Sequence, residues 1–294
     1  MLEHGRAPTR YILDVDGFSP QAQREMARPS STAHAQAFPV TLFGSVGRRV
    51  VELAAEVGDA TLFLVRALAQ VLRPPSRRQL TLEQVHFVGS RSLSIVVLTG
   101  AFTGLVLALQ GYNALARFGA ERMVGALVAL SLIRELAPVL AALMVTARAG
   151  SAIAATLGNM RVTEQIDALK TMAIDPISYL VVPRLIASVF VAPMLTALFA
   201  LTGLAVGQAL CVNVLHQDRA QFASAVTNAI AWSDVAEGLS KSLTFSLLMV
   251  WIACYRGYHA QGGAQGVGQA TTRAVVETSV LVLAVDYVLT ALLF

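Results

Sequence analysis

Residues 134–184 read RELAPVLAALMVTARAGSAIAATLGNMRVTEQIDALKTMAIDPISYLVVPR, and this order of residues decides the fold. A charged pair, Arg134 and Glu135, sits inside an apolar run. The run becomes a ladder of small residues, Gly150, Ala154 and Gly158. A short polar stretch follows, and a Pro-flanked turn leads into a second apolar run. A plain membrane anchor needs none of this. A transporter subunit needs a polar point facing a cavity, tightly packed spans and a cytoplasmic handle.

Composition agrees with a membrane class. Of 294 residues, 55% are hydrophobic and 14% charged, with a mean hydropathy of +0.63, whereas a soluble domain carries about 25% charged residues. A span needs roughly 20 apolar residues to cross about 30 Å of hydrocarbon. Five stretches qualify, at about 88–112, 124–158, 183–213, 236–257 and 272–293. The expected fold is an all-α integral membrane protein, with one permease domain over residues 85–294. Span two is long, so it tilts or its end emerges from the bilayer.

Residues 1–40 are rich in Pro, Ser, Gln, Ala and Arg without periodicity and read as a disordered cytoplasmic tail. No signal peptide is evident in them. Residues 41–75 read as an amphipathic helix. Arg48, Arg49, Glu52, Glu56, Asp59, Arg66 and Gln70 mark a polar side, and Val46, Val50, Leu53, Val57, Leu64 and Leu68 the opposite one. With that many charges it lies in the interface rather than spanning, and Arg73-Pro74-Pro75 ends it. The net charge of +4 reads as topology, not as nucleic-acid binding. Lys and Arg gather before span one, after span two and after span four, which places the N-terminus in the cytoplasm and the C-terminus outside. Cys211 and Cys254 lie in separate apolar stretches and read as buried hydrophobes.

Small residues at four-residue spacing, Gly100 and Gly104, Gly150, Ala154 and Gly158, Gly203 and Gly207, predict close helix packing. Gly100, Gly104, Leu107, Gly111, Ala114 and Phe118 share one face of span one; that face either lines an apolar cavity or packs on a neighbour. Glu135 is costly inside a span and faces a cavity or a partner, as does Asp286 in span five. Thr163 to Asp175 reads as a short polar helix with an apolar edge of Ile166, Leu169 and Met172. There is no GxxxxGK[ST], HExxH or GxSxG motif and no metal-ligand spacing, so the expectation is a non-enzyme that binds no cofactor or metal of its own.

LQGY (109–112), the stretch 134–184 and ATTRAVVETSVLVLAVDYVLTALLF (270–294) together resemble the MlaE-type permeases of lipid-asymmetry and Mce-associated ABC transporters. The resemblance covers residues 40–294. It implies the MlaE-type permease fold, an interfacial helix plus five transmembrane helices, working as a homodimer in a bacterial inner membrane. It implies two cytoplasmic ABC ATPase subunits that hold ATP and Mg, an MCE-domain protein on the periplasmic side and, in some systems, a STAS-domain subunit. The implied cargo is phospholipid or a related lipid, carried in a cavity lined here by Leu107, Gln110, Gly111, Phe118 and Glu135. The implied coupling helix is residues 163–174, with Glu164, Gln165, Asp167, Leu169 and Met172 meeting the ATPase. Ala137 stands where the family's REL(G/A)P motif commonly has Gly. The rival readings are a proton-coupled secondary transporter using Glu135 and Asp286 as relays, and a membrane scaffold that transports nothing.

Overall fold

The computed structural model describes residues 38–71 and 78–293. Most of the expected tail, and the Arg73-Pro74-Pro75 stop, lie outside the described residues. The chain divides into two compact units, Met1–Val57 and Gly58–Phe294. Within the first, residues 38–57 are helical, the beginning of α1 (Phe38–Val71).

The second unit is helical throughout its regular structure. Among the described residues, five helical segments are long and apolar enough to cross a membrane: Arg78–Ala116, Glu121–Val162, Ile177–Asn213, Trp232–Tyr258 and Gly263–Leu292. Each is longer than the apolar core read from sequence, because the helix continues beyond the hydrocarbon-length stretch at one end or both. The first is α2 (Arg78–Ala116). At 39 residues it is about 58 Å long, nearly twice the hydrocarbon thickness.

The second segment is not one regular helix. It runs α3 (Val124–Ser131), a π turn Leu132–Leu136, α4 (Ala137–Val145), a second π turn Thr146–Gly150 and α5 (Ser151–Val162). Then come the short α6 (Gln165–Thr171), a π turn Ile177–Val181, α7 (Val182–Asn213), α8 (Arg219–Ala229), α9 (Trp232–Tyr258) and α10 (Gly263–Leu293).

The small-residue ladders explain why spans one and three lie together. A Cβ on Gly104 would stand 2.0 Å from the Gly203 carbonyl oxygen, and one on Gly100 would stand 2.7 Å from that of Phe199. The reciprocal positions Gly203 and Gly207 face the Gly100 and Gly104 carbonyls. Backbones this close leave room for hydrogen only. The ladder in span two serves the other side. Gly158 faces Ala260 and Val267, Gly150 touches Met249, and the Ala154 carbonyl lies where a Cβ on Gly257 would sit, at 2.7 Å.

The part of α1 within this unit rests on span four. Trp251 donates from Nε1 to the Ala60 carbonyl at 2.7 Å. Phe63 packs among the rings of Tyr255, Tyr258 and His259, with centroids 5.6–6.1 Å away. Leu62, Val65 and Leu68 face outward, an apolar stripe suited to the bilayer boundary. Gln70, placed on the polar side by sequence, instead donates to Asp175 in the turn before span three.

Gly104→Ala should destabilise the bundle by about 1–3 kcal/mol through overpacking. Gly268→Ala, where a Cβ meets nothing within 4 Å, should not. Thermal unfolding of the two variants in detergent checks this, and equal melting temperatures would show the crossing to be slack.

Candidate functional site

Pro138 starts the construction of the central site. It has no N–H, so the Arg134 carbonyl one turn earlier loses its helical partner. The π turn removes a second bond, because the Ala137 N–H goes to Leu132 rather than to Ile133. Two carbonyls are thereby exposed toward α9. Lys241 of α9 donates to the Arg134 carbonyl at 3.0 Å. Gly238 packs over the Ile133 carbonyl, where a Cβ would stand only 2.4 Å away.

Around Lys241 the charges of three spans converge. Its ammonium has no solvent exposure. It pairs with Glu135 at 2.8 Å, with Glu237 at 3.2 Å and with Asp286 at 3.7 Å, and donates to Thr290 Oγ1 at 2.8 Å. Arg134 turns the other way, to Glu237 at 2.9 Å and Asp234 at 3.7 Å. Adjacent residues on a helix point about 100° apart, so Arg134 and Glu135 take different partners on the same neighbouring helix. Four carboxyls thus surround two cations. Charges this far from water persist because each has an opposite charge or a dipole in reach. Among the described residues, no group of three or more His, Cys, Asp or Glu is placed to hold a metal ion.

At the other end of α9, Arg256 grips Glu277 of α10 through two bonds of 2.6 and 2.7 Å. Arg184, buried near the start of α7, donates to the Leu180 carbonyl at 2.6 Å.

The residues expected to line a lipid cavity stand apart within one chain. Gly111 packs against Leu127, where a Cβ would stand 3.1 Å away, so it is a helix-packing position. Leu107 is half-buried against the core. Gln110 and Phe118 point outward, Phe118 being 83% exposed. Glu135 belongs to the ionic cluster, yet its side chain keeps 38% of its exposure, so one side of the cluster opens outward. The sequence reading singled out Arg134, Glu135 and Asp286 but passed over Asp234, Glu237 and Lys241. Their signal was available: spacings of three and four put all three on one face of α9 beside Gly238.

The short helix forms as expected but with tighter bounds, Gln165–Thr171. Left-handed backbone flanks it at Glu164 (φ 60°) and Ala173 (φ 59°), a conformation that non-glycine residues hold at some cost. Ile166 is its buried anchor, and Leu169 packs partly on the core. Glu164, Gln165 and Met172 are exposed. Asp167 is a brace: Arg161 reaches both its oxygens at 2.8 and 2.9 Å, and Lys170 one of them at 2.9 Å. The hydrogen bonds from Lys170 and then Arg161 hold its carboxyl below the usual carboxylate range.

Five apolar spans knotted by a buried ionic cluster, with a braced polar helix between two of them, have the build of a membrane permease. The family model described as Permease MlaE matches residues 81–292, and the chain belongs to the MlaE permease family. It is 40% identical over 258 residues to the Haemophilus influenzae intermembrane phospholipid transport system permease protein MlaE, covering 87% of this chain and 98% of that one. It is 42% identical over 255 residues to a probable ABC transporter permease protein of Rickettsia felis, covering 87% and 98% respectively. It is 36% identical over 214 residues to the chloroplastic protein TRIGALACTOSYLDIACYLGLYCEROL 1 of Arabidopsis thaliana, covering 73% of this chain and 61% of that one.

Lys241→Met takes the cation from Glu135 and Asp286 and leaves Glu237 with Arg134 alone, and should destabilise the protein by about 3–5 kcal/mol. Denaturation followed in detergent measures it, and an unchanged midpoint would contradict the knot. The Asp167 brace has a pH signature. A carboxyl with a depressed folded-state pKa contributes stability in full above about pH 4, and loses it as pH falls below that. Hydrogen-exchange protection over 165–171, corrected for the intrinsic exchange rate at each pH, should therefore fall on acidification below that point, and should do so less in Asp167→Asn, which has no such proton to gain.

Proposed function

We propose that this chain is the membrane subunit of an ABC transporter that moves phospholipid, or a related lipid, between the bilayer and an outer MCE-domain partner. A separate cytoplasmic ATPase supplies the energy, with ATP and Mg held there. The observation that carries this reading is α6. It is anchored by Ile166, braced through Asp167 to the end of span two, and followed at once by the turn into span three. A push on its exposed Glu164, Gln165 and Met172 therefore reaches two spans without unfolding the handle.

Two copies make the working unit in this reading. Span four has 61% of its apolar window buried within the chain, whereas span five has 11%. Span four is thus the heart of the bundle, and spans one and five have the most surface left to cover. A second copy against them would bring Leu107, Gln110, Phe118 and the open side of Glu135 around a shared lipid cavity. The N-terminus then lies in the cytoplasm and the C-terminus in the periplasm, by the distribution of Lys and Arg. The phospholipid transport named for the Haemophilus relative supports the choice of cargo.

The surplus of carboxyls around Lys241 favours one rival, transport coupled to protons through Glu135 and Asp286. The rivals part on energy source. In proteoliposomes, lipid movement should need ATP and the ATPase and survive an uncoupler; collapse with the uncoupler would select the proton reading. Glu164→Lys should abolish co-purification of the ATPase while the chain elutes and melts as before. Undiminished ATPase recovery with that variant would remove α6 from the coupling role.

A further inference from the structure

We propose that a groove between α4, α7 and α9 is a binding site for one hydrocarbon chain of a bilayer lipid, separate from the cavity between two copies. The groove holds about 270 Å³. Ile133, Ala137, Ala197, Ala200, Leu204 and Gly238 form its walls. All belong to segments of membrane-spanning length and hydropathy, so the medium at its mouth is hydrocarbon. Leu201, Val235 and Leu239 are exposed at the rim.

The walls cannot close on themselves. Gly238 is already pressed on the Ile133 carbonyl, which fixes α9 against span two. The other wall carries Pro193, Ala197 and Ala200, side chains too short to fill the gap. Water gains little there. The only side-chain polar groups in the lining are the hydroxyls of Thr196 and Ser242, which bond each other at 3.0 Å. An ordered water needs two to four polar partners.

The hydroxyl pair also divides space. Thr196 and Ser242 line both the groove and a smaller, more enclosed cavity behind them, with Val145, Phe245 and Met249. The pair is therefore a threshold that sets how deep an occupant reaches. A thin, flexible chain suits such a slot. A second copy has its larger uncovered surface elsewhere, on span five.

The test uses the full chain in nanodiscs of phosphatidylethanolamine and phosphatidylglycerol doped with a phospholipid carrying a photoreactive diazirine near the end of one acyl chain. After illumination, modified residues are mapped by mass spectrometry. Labelling should concentrate on Leu201, Leu204 and Leu239 over the outward-facing Phe190 and Met194 of α7. Ala200→Phe, which fills the groove, should cut that labelling about tenfold and leave Phe190 and Met194 unchanged. Leu239→Trp at the exposed rim gives the same readout should Ala200→Phe fail to fold. Uniform labelling, or labelling unaffected by the filling variants, would overturn the site. So would a Leu201→Cys variant that cross-links to a second copy or to a co-purifying protein helix instead of to lipid.

Discussion

One ammonium group without access to solvent holds three membrane spans in register. Lys241 sits where spans two, four and five meet, and each contributes an acid within 4 Å: Glu135, Glu237 and Asp286. In a bilayer, apolar surface gives helices little reason to prefer one another over lipid, so packing and polar contacts set their association. The cost of leaving any of these charges unpaired makes the arrangement close to all-or-none. The neighbouring features follow from it. Pro138 and the π turn present backbone carbonyls to α9, and Gly238 lets α9 come near enough to use them. On the far side of span two's partners, the glycine crossing of spans one and three needs no charge at all. The bundle is thus joined by two kinds of seam, one electrostatic and one purely steric.

Much of this was legible in the residues. The number of spans follows from apolar length, and the glycine seam from four-residue spacing. Arg134, Glu135 and Asp286 stood out because charges in apolar runs are rare. Lys241 and Glu237 did not, because they lie where span four begins in a less apolar stretch, Ser233 to Ser242, and read as its edge. Their meaning is relational: a lysine near a span end becomes a knot only when acids from two other helices arrive beside it. The same holds for Asp167, whose ion pairs with Arg161 and Lys170 show only once the short helix is folded. The limits of α6 were hidden for another reason. The left-handed turns at Glu164 and Ala173 carry no glycine to announce them. They are imposed by the need to turn the chain sharply between two spans.

The π turns show how local irregularity and function meet. Each frees a carbonyl from the regular ladder, and a helix in lipid does not tolerate a carbonyl without a partner. Near Arg134, where Pro138 withholds a further N–H, the partner is Lys241. Lys241 therefore balances carboxylates and repairs backbone at once. That double duty explains why a cation stands inside a span that hydropathy alone would leave bare.

The Arg256–Glu277 clamp has a mechanical meaning. Lys241 and Arg256 lie fifteen residues apart on α9, about 22 Å along its axis, and each is bonded to α10. Two fasteners at separate heights block both sliding and twisting between these helices. Spans four and five consequently behave as a single lever, and whatever opens or shuts along the outer face of span five is borne by a body twice its width. A load arriving at one end of that lever is delivered at the other without being absorbed between.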